Sequence, residues 1–152
     1  MAIEIGDEAP DVELRDGSFQ PVRLSDFRGA KRVVVMFYPL AFSPTCDSEL
    51  CEVRDRSDEL VDDRTEVLGI TVDSPLAQRA WAEQRGFQHR ILSDFWPHGE
   101  AARAFGVFDD GLGSALRATF VIDLDGVVRW RVLSELSQAR DIDALRDALA
   151  EL

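Results

Sequence analysis

Short apolar runs alternate with stretches of helical period along this chain. Residues 33–38 are almost continuously apolar, as expected of a strand buried on both faces. Residues 65–72 form a second, β-branched run, and residues 90–92 a shorter one. Helical spacing of apolar positions predicts a helix from about 44 to 62. Ser74-Pro75 supplies a cap and a proline at the first helical position, opening another helix that should stop at Gly86. Residues 98–105 read as a short helix ending at Gly106. Residues 138–152 read as a closing amphipathic helix with Ile142, Leu145, Leu149 and Leu152 on one face. Segments 119–123 and 127–132 alternate around Asp125-Gly126, the pattern of a hairpin. Nearer the start, residues 9–29 give a short strand, a turn at Asp16-Gly17 and a second strand near 21–24. The order is hairpin, βαβα with parallel crossovers, hairpin, helix. It predicts an α/β fold, a mixed central sheet flanked by helices with an N-terminal β-hairpin added. With no repeat and no Pro/Gly/Ser-rich linker, one domain over 1–152 is expected.

Composition narrows what such a fold can do. Twenty-nine acidic side chains against 17 basic give a net charge of −12, which argues against nucleic acid and against anionic lipid as partners. No apolar run approaches the roughly 18–20 residues of a membrane span. The first residues, Met1-Ala2-Ile3-Glu4, lack the basic and apolar regions of a signal peptide, so a cytoplasmic location is the default. Two cysteines are too few for a disulfide framework, and their role is expected to be chemical.

Those cysteines sit in the stretch Tyr38-Pro39-Leu40-Ala41-Phe42-Ser43-Pro44-Thr45-Cys46, with Glu49 and Cys51 just behind. Ser43 occupies an N-cap position and Pro44 the first helical one, which puts Cys46 at about the third residue of the helix. Its sulfur then lies near amides without intrahelical partners, at the end of a helix that favours negative charge. On a helical wheel Cys46, Leu50, Val53, Ser57, Leu60 and Val61 share a stripe about 60° to either side of Cys46, with Glu49 on its edge. Cys51 falls roughly 140° away, among Asp47, Asp58 and Asp62, on a face that nothing in the pattern buries. Five helical residues mean a rise of roughly 7.5 Å, so the two sulfurs cannot bond until the first turns unwind.

The pattern Pro39-x3-Ser43-x2-Cys46 after a buried strand resembles the peroxiredoxin signature. So do Gly6-Asp7-Glu8-Ala9-Pro10-Asp11, Leu24-Ser25-Asp26-Phe27-Arg28-Gly29, Leu92-Ser93-Asp94, Gly106-Val107-Phe108 and Arg117 ahead of Thr119. The resemblance spans nearly the whole chain. Pro39-Leu40-Ala41-Phe42 and the 93–99 segment look like the alkyl hydroperoxide reductase E subgroup, while Cys46-x4-Cys51 resembles the bacterioferritin-comigratory (peroxiredoxin Q) subgroup. The resemblance implies a thioredoxin-like fold and a thiol-dependent peroxidase acting on hydrogen peroxide and organic hydroperoxides. By it, Cys46 is the peroxidatic nucleophile, Ser43 hydrogen-bonds thiolate and peroxide, Pro39 shields the sulfur, and Arg117 supplies a fixed cation. It also implies no cofactor, no metal and a homodimer. Glu49 reads equally as a tie for the arginine or as an ordinary first-turn acid.

Recycling stays open between two routes. Cys51 resolves the sulfenic acid and a thioredoxin-like protein reduces the disulfide; or Cys51 is inert and a low-molecular-weight thiol or a glutaredoxin-like protein attacks Cys46 directly, with a mycoredoxin-like protein a further candidate reductant. A thiol–disulfide oxidoreductase on the same fold is a further reading, but it would carry Cys-x-x-Cys. A non-enzymatic binding domain would not need Ser43 or Arg117. His89 and His98 fit no tight metal pattern with these cysteines.

Overall fold

The computed structural model describes residues 2–134 and 140–152. Strands β1 (Glu13–Arg15) and β2 (Pro21–Arg23) form the first hairpin. A 3-10 turn over Leu24–Phe27 then leads to β3 (Arg32–Phe37). Helices α1 (Pro44–Asp55) and α2 (Ser57–Leu60) follow, then β4 (Thr65–Thr71), α3 (Pro75–Arg85), β5 (Arg90–Ser93) and α4 (Glu100–Ala104). Two-residue strands β6 (Phe108–Asp109) and β7 (Ser114–Ala115) precede the hairpin of β8 (Arg117–Ile122) and β9 (Val128–Ser134), and α5 (Ile142–Ala150) closes the chain. The main sheet has the order β2-β1-β5-β4-β3-β8-β9. Its centre, β5-β4-β3, is parallel, and β8 lies antiparallel to β3. The N-terminal hairpin joins by the single register pair Arg15–Ser93.

Period-two alternation between two buried faces explains why β3 is apolar after Arg32. Val33, Val35 and Phe37 face one core with Leu68, Ile70 and Phe105; Val34, Met36 and Tyr38 face the other, against Leu50, Trp81 and Leu145. The first core lies under α4, the second under α1, α3 and α5. Ser74 caps α3 by accepting from the Ala77 amide at 3.2 Å, and Gly86 ends it in the left-handed region at φ 70°. No helix among the described residues is long and apolar enough to cross a membrane.

Three expectations change. The helix foreseen over 44–62 breaks at Arg56, whose backbone turns to φ −110°, ψ 21° while its guanidinium bridges Glu52, Glu59 and Asp143. The break keeps Leu60 buried, ties α2 to α5 and turns Val61 out to solvent. The closing helix begins at Ile142, because Asp141 caps it through the Ala144 amide at 3.1 Å; of the expected start, residues 138 and 139 lie outside the described residues. Ile142, Leu145 and Leu149 are buried as expected, but the helix ends before Leu152, which is exposed. The helix expected over 98–105 shortens to Glu100–Ala104, and the β6–β7 hairpin was not foreseen, since two-residue strands leave no periodicity to read.

Candidate active site

The C-terminal end of β3 delivers Tyr38 and Pro39 to a loop that must reverse before α1. Phe42 takes a positive φ of 64°, uncommon for a bulky residue, and Asp73 pins the loop by accepting from the Ala41 amide at 2.7 Å. Ser43 occupies the N-cap with extended dihedrals, and Pro44 follows at the first helical position. The Ser43 hydroxyl does not cap the helix. Its Oγ is buried and has no hydrogen-bond partner. A serine that forgoes a cap worth about 1 kcal/mol leaves its hydroxyl free for something else.

Cys46 is fully buried. Two neighbouring elements explain the burial. Arg117, first residue of β8 beside the end of β3, brings Nη2 to 3.4 Å from Cys46 Sγ. Glu49, one turn on from Cys46, accepts from Arg117 Nη1 through Oε1. Its Oε2 accepts from the Arg140 amide at 2.7 Å and faces Arg140 Nε at 3.4 Å. Arg140 in turn donates to the Phe37 carbonyl and lies over the Tyr38 ring at 4.1 Å, a cation–π contact. Burial holds the Tyr38 hydroxyl well above its ordinary range and lowers the guanidinium of Arg140.

Among the described residues, two buried guanidiniums, Arg117 and Arg140, and one buried carboxylate, Glu49, thus form one cluster with the sulfur. A shallow cavity of about 270 Å³ opens above it, lined by Pro39, Leu40, Ser43, Pro44, Leu112 and Arg117 among others. It is apolar along Leu40 and Leu112 and polar where it meets Ser43 and Arg117.

Pro39, Ser43, Cys46, Glu49 and Arg117 thus converge. Arg117 is buried, and Glu49 is an inward-facing acid rather than one at the rim. Arg140 was missed: it follows a segment without motif, and only its position before the Asp141 cap hinted at order. Cys51 stands apart from the cluster, on a helix that is continuous from Pro44 to Asp55. It is half-buried against the second core rather than on an open face. Its stripe carries Asp47 and Arg54, and both bind α3. Asp47 Oδ1 accepts from Trp81 Nε1 at 2.8 Å and from Arg85 Nε at 2.8 Å, while Arg54 donates to the Arg85 carbonyl.

The sheet that carries this buried sulfur and guanidinium has counterparts among known proteins. The AhpC/TSA family pattern matches residues 5–131. The chain is 43% identical over 150 residues to alkyl hydroperoxide reductase E of Mycobacterium tuberculosis, covering 99% of this chain and 98% of that one. Among solved structures it is similar to peroxidoxin BcpB of M. tuberculosis, with a TM-score of 0.87, 34% identity and coverage of 99% and 98% of the two chains. It is likewise similar to AhpC of Enterococcus faecalis, with a TM-score of 0.87, 30% identity and coverage of 99% and 93%. The chain belongs to the AhpC/TSA family of peroxiredoxins. It is a thiol peroxidase that reduces peroxides through an active-site cysteine.

Proposed function

We propose that Cys46 is that cysteine, and that the 1–152 chain works as one catalytic domain of the alkyl hydroperoxide reductase E type. The observation that carries the assignment is the 3.4 Å approach to the Cys46 sulfur of Nη2 of Arg117, a residue that lines the cavity. The thiolate attacks the distal peroxide oxygen. The O–O bond breaks, the sulfur becomes a sulfenic acid, and the leaving oxygen departs as alcohol or water after taking a proton. The free hydroxyl of Ser43 donates to the incoming peroxide, and Arg117 stabilises charge on the oxygens as they separate. Pro39 shields the sulfur from bulk water. Glu49 is a positioning residue that holds Arg117 in place, with Arg140 behind it. The apolar wall of Leu40 and Leu112 suits organic hydroperoxides as well as hydrogen peroxide.

Cys51 is the resolving residue in this reading. Its thiolate attacks the sulfenic sulfur, an S–S bond replaces the S–O bond, and hydroxide leaves as water with the proton that Cys51 released. A thioredoxin-, mycoredoxin- or glutaredoxin-like dithiol then reduces the disulfide. Exposed Leu40, Phe42, Phe95 and Trp96 around the site suit a homodimer contact. Two free thiols fit a cytoplasmic site of action.

The Cys51→Ser variant tests the recycling route. With thioredoxin as reductant it should complete one turnover and then stall. Undiminished multi-turnover activity would sink the intramolecular route in favour of direct attack on Cys46 by an external thiol.

A further inference from the structure

The sulfur of Cys51 has to leave the α3 side of α1 before it can reach Cys46, and of the two residues that fasten that side, Asp47 and Arg54, Asp47 is the one in the first turns. Asp47, Cys51 and Arg54 are spaced i, i+4 and i+7, so they share one helix face. Asp47 grips α3 at two points, the indole N–H of Trp81 and the guanidinium of Arg85, each at 2.8 Å. Burial alone would raise its carboxyl, but these bonds outweigh burial and hold it below the usual carboxylate range. Trp81 is fully buried and its ring also meets Phe42, with centroids 6.0 Å apart, so one side chain braces both the loop before Cys46 and the turn after it. That loop is the strained one, with Phe42 at φ 64°. Asp47 and Arg85 are partly open to solvent, so their contact can break without dismantling the core.

We propose that Asp47 is a latch on the first turns of α1: its grip on Trp81 and Arg85 sets how often the helix opens, and thereby how fast Cys51 closes on oxidised Cys46. Release lets Phe42 relax and frees the 46–51 segment to shorten the distance between the sulfurs. The latch is a positioning device; Asp47 touches neither peroxide nor sulfur. The part concerning Cys51 rests on its assignment as the resolving residue.

Two measurements separate the latch from that assignment. Asp47→Asn keeps an acceptor for Trp81 but removes the charge that Arg85 holds, and Arg85→Gln cuts the same contact from the other side. In the reduced protein, amide hydrogen exchange over residues 46–51 should rise about tenfold in both variants, equivalent to about 1.4 kcal/mol. After one equivalent of hydrogen peroxide, the first-order tryptophan fluorescence phase of disulfide closure should quicken about tenfold as well, while the second-order peroxide step does not follow it. A lower melting temperature with unchanged exchange in α1 and unchanged closure would overturn the latch and make Asp47 an ordinary structural bond. If the parent protein keeps its sulfenic acid and never forms the Cys46–Cys51 bond, the resolving assignment fails. Exchange in α1 then decides the latch by itself: raised, it stands as an opening device; unchanged, it falls.

Discussion

Arg117→Met separates catalysis from folding because of how charge is shared in the buried cluster. In the parent, Arg117 and Arg140 face Glu49 and Cys46. Without Arg117, Glu49 still pairs with Arg140. Stability should therefore fall by about 3 kcal/mol, the low end of what losing one partner of a buried ion pair costs. For a domain with a total stability of roughly 5–15 kcal/mol this leaves the protein folded. The reaction suffers more. The donor aimed at the separating oxygens is gone. Removing one preorganised donor of this kind costs about 10²–10³ in rate. Arg117→Lys restores charge but not the fork that serves Glu49 and Cys46 together, and should fall between the two. Stopped-flow competition for hydrogen peroxide against a second peroxidase measures the second-order rate, and urea unfolding of the reduced proteins measures stability. A rate for Arg117→Met within tenfold of the parent, with the variant folded, would refute the role given to this guanidinium.

Other outcomes follow from the same coordinates. Ser43→Ala should leave stability nearly unchanged, since no helix cap is lost, while peroxide reactivity falls roughly ten- to a hundredfold and Ser43→Thr restores it. Burial lowers His89 to about 4, with its Nε2 sealed and unpartnered. The unfolded chain therefore binds the extra proton between pH 6.5 and 4, and stability falls by roughly 2–3 kcal/mol as pH drops through that window. Urea midpoints at pH 7 and 4 for the parent and His89→Leu should differ in the parent by that extra amount. Gly99 sits at φ 73°, and a Cβ there would lie 2.3 Å from the Phe108 ring. Gly99→Ala should cost about 3 kcal/mol from crowding and backbone strain, lowering the melting temperature by roughly 6–12 °C in a calorimetric scan.

Much of this was legible in the chain, for reasons that differ from residue to residue. The strands showed because β3 and β4 are buried on both faces, so residues 33–37 and 67–70 run without a polar side chain. Ser43-Pro44 and Ser74-Pro75 marked helix starts, since cap and proline chemistry acts within a few residues. Cys46 was legible because it sits at a helix start just signalled in that way. Glu49 and Arg117 could be named by type, but their burial could not, because it depends on β8 docking against β3 some seventy residues away. Arg140 carried no motif, only a place next to the Asp141 cap. Its place is set by the Phe37 carbonyl, the Tyr38 ring and Glu49, all distant in sequence. The wheel misjudged Cys51 by assuming that α1 has one packing partner. The helix has two, the sheet on one side and α3 on another, and the acids that looked like a solvated face include Asp47, which holds the second.

The most direct test of the account is to add one equivalent of hydrogen peroxide to reduced Cys51→Ser protein with dimedone present and map the adduct by mass spectrometry. The account predicts a fast tryptophan fluorescence change and one dimedone on Cys46. An unmodified Cys46, with no thiol lost on the timescale of peroxide consumption, would contradict it.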